Sequence, residues 1–163
     1  MSEALAETGA DLPTDTAALA ALADGSVGAA LRLINQNGLE IYAQISAILA
    51  TLPRMDRQRV MAVGELAAAR GETDRFELIL TLFDKAMARL AHTGATGHPP
   101  HPEASPGEAE MLLRLSPDLR AARAWADRAA EVNARSRHGL AVNLDPAALV
   151  LDTVLRMQEA ARA

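Results

Sequence analysis

Residues 73–92 read TDRFELILTLFDKAMARLAH. Phe76, Ile79, Leu80, Phe83, Met87 and Leu90 recur at spacings of three and four, the mark of one buried helix face. Leu78 and Leu82 widen that face. A helix apolar over so much of its circumference needs cover on several sides, which predicts the central helix of a bundle.

Upstream the same period continues. Ile41, Ile45, Ile48 and Leu52 form a stripe with Glu40 and Gln44 opposite, so a helix is predicted from Leu39 to about Leu52, where Pro53 ends it. Asp56 is placed to cap a following helix to Arg70, closed by Gly71. Two short helices come before these. One is capped by Asp15 or Thr16 and ends near Asp24-Gly25. The other is capped by Ser26, runs to about Gln36 with Leu31 and Ile34 inward, and is broken by Asn37-Gly38. Residues 1–14 are polar and unpatterned, a loose lead-in.

Downstream comes GATGHPPHPEASP, residues 94–106. Three of its prolines fall within four residues, so a mobile loop is expected over 94–107. Ser105-Pro106-Gly107-Glu108 carries the cap, first-turn proline and returning glutamate of a helix start. Ser116-Pro117 is expected to open a long helix to about Arg137, and Asp145-Pro146 the last one, to about Ala161. Trp125, flanked by Ala124 and Ala126, is expected to fill core space beside small neighbours.

The composition agrees with an all-α fold. Half of the 163 residues are apolar, but Ala supplies much of that, and aromatics are only 2%, a poor mix for strands. Cysteine is absent, which removes disulfides, thiolate metal sites and thiol nucleophiles and is compatible with the cytoplasm. Neither a signal peptide nor an apolar run of membrane length is visible. The net charge of −5 disfavours direct nucleic-acid binding.

The chemistry-bearing residue types are sparse. A phosphate loop needs clustered glycines followed by lysine, and the only lysine, Lys85, sits inside the central helix. The prominent serines have cap roles instead of a nucleophile elbow. His92, His98 and His101 cluster, but their spacing fits no zinc pattern and two lie among prolines. No catalytic, cofactor-binding or metal-ligating residue is assigned. Arg120, Arg123, Arg128 and Arg135 share one predicted helix with Asp127 and Glu131. Such a set is commonly a solvated face. It is also the kind of surface enriched at protein interfaces, and these four are the candidate subunit-interface residues.

Two segments carry a resemblance. Leu22-Ala-Asp-Gly-Ser-Val-Gly-Ala-Ala-Leu-Arg-Leu-Ile34 resembles the end of the lid region in bacterial clamp-loader subunits, where a Gly-Ser turn opens a helix of pattern Ala-Leu-x-Leu. Asn143-Leu-Asp-Pro-Ala-Ala-Leu-Val-Leu-Asp-Thr-Val-Leu155 is similar to the last helix of the delta prime family of DNA polymerase III subunits. Leu52-Pro-Arg-Met-Asp56 and Arg75-Phe-Glu-Leu78, between them, look like the same family's collar domain. Hydrolysing relatives carry an arginine two residues after the turn serine; here that position is Gly28, as in the non-hydrolysing delta prime type.

The resemblance implies a partial lid over 15–37 and a helical collar over 38–163, either a fragment of a longer subunit or a short paralogue. It implies a non-catalytic structural role in the assembly that loads the sliding clamp, in the cytoplasm. Its partners would be the ATPase subunits of gamma/tau type and the delta subunit, with DNA and the clamp met only through the assembled complex, no membrane and no small-molecule substrate. The alternative is a free-standing helical adaptor or regulator, which binding partners would distinguish. A small metal-dependent or hydrolytic enzyme trails both, and metal analysis tests it.

Overall fold

The structure is a computed structural model and describes residues 15–71 and 73–162. The expected lead-in over 1–14 lies outside the described residues. The described residues form α1 (Thr16–Ala23), α2 (Val27–Asn35), α3 (Gly38–Thr51), α4 (Arg57–Ala67), α5 (Thr73–Thr96), α6 (Glu108–Leu115), α7 (Leu119–Ala141) and α8 (Pro146–Ala160), with no strand among them. The fold is all-α.

α5 is the axis of the bundle. It packs along α7 most extensively and also meets α3, α4 and α6, while α8 packs on α4 and α7. Phe76, Ile79, Phe83, Met87 and Leu90 of the opening stripe are buried, together with Leu78 and Leu82. Leu80 is only partly buried against the same core. Trp125 is fully buried, and its indole N–H donates to the Leu115 carbonyl at 3.0 Å. That bond satisfies the one polar atom this bulky ring brings inside.

Side-chain caps set several of the helix starts. Asp15, Ser26, Asp56 and Asp145 each accept from a backbone N–H two or three residues on. At the C-terminal end of α3, Arg114 donates to the Ala50 and Leu52 carbonyls, both at 2.8 Å. A cation thus sits where the helix leaves its last carbonyls unpaired.

Several expectations are corrected. α5 passes through Gly94 and continues to Thr96, because Gly94 is a contact point. A Cβ there would fall 2.5 Å from the Asp118 carbonyl oxygen and 3.0 Å from the Ala122 methyl group. α6 starts at Glu108, directly after Gly107 in the left-handed region, and not from a Ser105 cap; the Ser105 hydroxyl bonds Ser46 instead. α7 is capped by Asp118, whose carboxylate accepts from Ala121 N at 2.8 Å, while Ser116 turns inward. A carboxylate is the stronger acceptor at a helix N-terminus, so it displaces the serine. α7 also outruns Arg137 and ends at Ala141, with Leu149 packed where a Gly139 side chain would be. In α2 the buried residues are Ala30 and Leu33, with Leu31 and Ile34 only half-buried.

The residues expected as a lid remnant share the core of the rest. Leu19, Leu22, Ala30 and Leu33 belong to the same buried cluster as α5. Lys85 of α5 pairs with Asp24, and Arg32 donates to the Asp74 carbonyl at 3.0 Å and to Glu77 at 3.3 Å.

Candidate functional site

Two polar constellations stand out, one buried and one on the surface. The buried one joins α3, α5 and the start of α6. The Glu108 side chain is fully buried, and Arg89 is only 12% exposed. Arg89 Nε and Nη2 each donate to a different Glu108 oxygen at 2.8 Å, a bidentate pair. Tyr42 Oη donates to Glu108 Oε1 at 2.5 Å, and Ala104 N donates to Oε2 at 2.7 Å. Arg89 Nη2 also donates to the Pro102 carbonyl at 3.0 Å and the Pro100 carbonyl at 3.4 Å.

Charge and burial explain the ionisation here. Burial, reinforced by the adjacent Glu108 carboxylate, pushes the Tyr42 phenol far above its ordinary value. Burial works against the Arg89 cation, but the hydrogen bonds and charge of Glu108 outweigh it and hold Arg89 above the usual arginine range. Tyr42 therefore stays a neutral donor. Both Glu108 oxygens are occupied by internal donors, so this is a latch and not a reaction centre.

The latch bonds to the segment expected as a mobile 94–107 loop. α5 takes its first three residues, and Arg89 and Glu108 grip the rest by the backbone at residues 100, 102 and 104. Glu103 adds a bond from Ala109 N at 2.8 Å, and Ala104 and Ser105 are buried. The prolines do prevent a helix. Their free carbonyls are what the arginine binds.

The surface constellation contains half of the four candidate interface arginines. Arg128 Nη1 lies 2.5 Å from Glu131 and 3.3 Å from Glu159 of α8. Arg135 Nε lies 2.7 Å from Asp152 of α8. Arg156 closes the network, 3.2 Å from Glu131 and 3.6 Å from Asp152. Bond and charge from Asp152 hold Arg135 above the usual arginine range. Arg128 and Arg135 are thus engaged inside the chain, across the α7–α8 seam. Arg120 and Arg123 are exposed on the first turns of α7, near Leu119, which is also exposed. The structure therefore does not bring the four arginines together as one free surface.

Sequence reasoning missed Tyr42 and Arg89. The available signal was placement: Arg89 adjoins Leu90 of the α5 stripe, and Tyr42 follows Ile41 of the α3 stripe. His92, His98 and His101 are exposed, and no group of three side chains placed to hold a metal ion occurs among the described residues.

A cleft of about 380 Å³ opens where the end of α4, the start of α5 and the α7–α8 turn meet, lined by Ala67, Phe76, Leu140 and Leu144. Its carboxylate, Glu77, is already paired with Arg32. No helix among the described residues is long and apolar enough to cross a membrane. Protein-family models, curated proteins and solved structures all yield no match to this chain.

Proposed function

We propose that this chain is a non-catalytic structural unit of a bacterial DNA polymerase III clamp loader, of the delta prime lid-and-collar type, and works in the cytoplasm. The observation that carries the reading is the resemblance of residues 22–34 and 143–155, taken with where those residues fall. Ser26 caps α2 directly after the left-handed Asp24 and Gly25, as a Gly-Ser turn opening a helix should. Asn143 is left-handed just before α8, at the position of the family's asparagine. The intervening chain forms a helical bundle, the architecture a collar requires.

The partners on this reading are the ATPase subunits and the delta subunit, and DNA is met only through the complex. A chain at −5 repels phosphate unless its cations are concentrated and free, and Arg128 and Arg135 are spent on α8. Arg120 and Arg123 are the pair left to face a partner subunit.

Co-purification with the ATPase and delta subunits of the same organism tests this. Wild type should enter a stable complex, and a double Arg120→Glu, Arg123→Glu variant should enter it less. Absence of association by wild type, also within any longer native chain, would refute the function. Association untouched in the variant would refute only the surface.

A further inference from the structure

Seven large apolar side chains are exposed among the described residues, and four gather at one place. Met61 is 65% exposed on α4, Leu151 and Leu155 are 44% and 40% exposed on α8, and Leu144 is 49% exposed in the turn before α8. The packing of α4 on α8 fixes their relation. A Cβ on Gly64 would touch the Ala147 methyl group at 3.4 Å, and Gln158 donates to the Pro53 carbonyl at 2.8 Å. The two helices therefore run antiparallel, with residue 61 about level with residue 150.

Going round α8 in one sense, the order is core (Val150, Met157), then α4 (Ala147, Gln158), then solvent (Leu151, Leu155). Going round α4 in the same sense, it is core (Val63, Ala67), then α8 (Gly64), then solvent (Met61). In antiparallel helices that shared sense brings both solvent edges out on the same side. Leu144 extends the strip toward the end of α4, where it borders Ala67 and Ala68.

The charges on this face are ordered. Arg57, Met61 and Glu65 are four apart, so they follow one edge of α4, and the two charged groups are exposed with no partner among the described residues. Basic, apolar, acidic is a sequence that matches itself when reversed. A second copy turned about a two-fold axis through Met61 sets Arg57 against the other copy's Glu65, and the pair occurs twice. The same rotation brings Leu151 near its own counterpart and Leu155 onto the other copy's Leu144.

We propose that the α4–α8 face is a self-association surface, and that its occupant is a second copy of this chain packed antiparallel. The proposal stands independently of the clamp-loader reading, because it uses only this chain's own residues. Crowded exposed apolar side chains with self-complementary charge at the margins are what an isologous contact needs.

Sedimentation equilibrium of the whole chain over a wide concentration range tests it. The mass should rise with concentration from 17.2 kDa toward twice that value. Met61→Glu should weaken the dimer by at least about tenfold, since it places a charge at the centre of the contact. Arg57→Glu and Glu65→Arg should each weaken it, and the double reversal should restore it, because the swapped pair is again complementary. Helical content by circular dichroism keeps misfolding apart from lost association. A monomer at every concentration, a dimer indifferent to Met61→Glu, or no rescue by the double reversal would overturn the proposal.

Discussion

The Tyr42–Arg89–Glu108 latch and the α7–α8 network use the same chemistry in different settings. Each pairs arginines with carboxylates. In the latch Glu108 has no contact with water, and Arg89, Tyr42 and Ala104 N–H take the place of solvent around it. In the network Arg128, Arg135 and Arg156 are partly wet, and Glu131 and Glu159 are 40% and 54% exposed. Solvent already screens those charges, so breaking a pair returns each ion to water at small cost. Burial, and not the number of ion pairs, decides which of the two the fold depends on.

The latch should give the largest effect. Glu108→Ala leaves a buried guanidinium without a counter-ion, and the expected loss is about 3–5 kcal/mol by urea unfolding. Tyr42 Oη, Ala104 N–H and the turn carbonyls lose their organising partner as well, so proteolysis should newly open residues 97–106. The double variant Arg89→Met, Glu108→Gln keeps an acceptor for Tyr42 and removes both charges. It should lose less than Glu108→Ala alone. If the single variant costs no more than a surface pair, or the two changes simply add, the latch is not a coupled buried unit.

The network should respond weakly and in a salt-dependent way. Arg156 contacts Glu131, Asp152 and Glu159, so Arg156→Ala removes more contacts than any other single change there. Arg128 and Arg135 keep Glu131, Glu159 and Asp152 partly neutralised in its absence. A loss of about 0.5–1 kcal/mol is expected at low ionic strength, shrinking in high salt. A loss as large as that from the latch, or one insensitive to salt, would erase the contrast between the two regions.

How much of this was legible in the sequence follows the range of the interactions. The α5 stripe, the Asp56 and Asp145 caps and Trp125 in the core depend on neighbours within a turn or two, or on hydrophobicity alone, and a single sequence reveals both. The latch depends on Arg89 reaching Pro100, Pro102 and Glu108 across a turn with no regular structure. Nothing in GATGHPPHPEASP announces that an upstream arginine will hold its carbonyls, so the segment looked unanchored. The pairing of Arg128 and Arg135 was hidden for the same reason: Glu159 and Asp152 lie on another helix, and only the packing of α8 on α7 brings them near. Gly94 and Gly139 resemble helix breakers until the close approach of Ala122 and Leu149 shows why a side chain is missing.

Asp84 sits between the two regimes, and it should give the smallest effect. It lies on α5 facing α7, half-buried, with Asn133 Nδ2 donating to it at 2.7 Å. Burial raises its carboxyl above the ordinary range, while the neighbouring Lys85 cation pulls in the other direction and does not prevail. The folded state therefore binds this proton more tightly than the unfolded chain does. For such a group stability is greatest below the unfolded pKa, and it is lost as pH rises through that value to the folded one. Above both values the carboxylate is charged in either state and the full penalty remains. Asp84→Asn removes the penalty and keeps an acceptor for Asn133, so it should stabilise the protein at neutral pH. Half-exposure to solvent limits the gain to under about 0.5 kcal/mol. The gain should fade as pH falls through the raised Asp84 value and vanish below the ordinary carboxylate range. Urea midpoints for wild type and variant at neutral pH and at about pH 3.5 check the sign. Destabilisation at neutral pH would mean that the Asn133 bond needs the carboxylate charge, which would place Asp84 with the latch and not with the surface pairs.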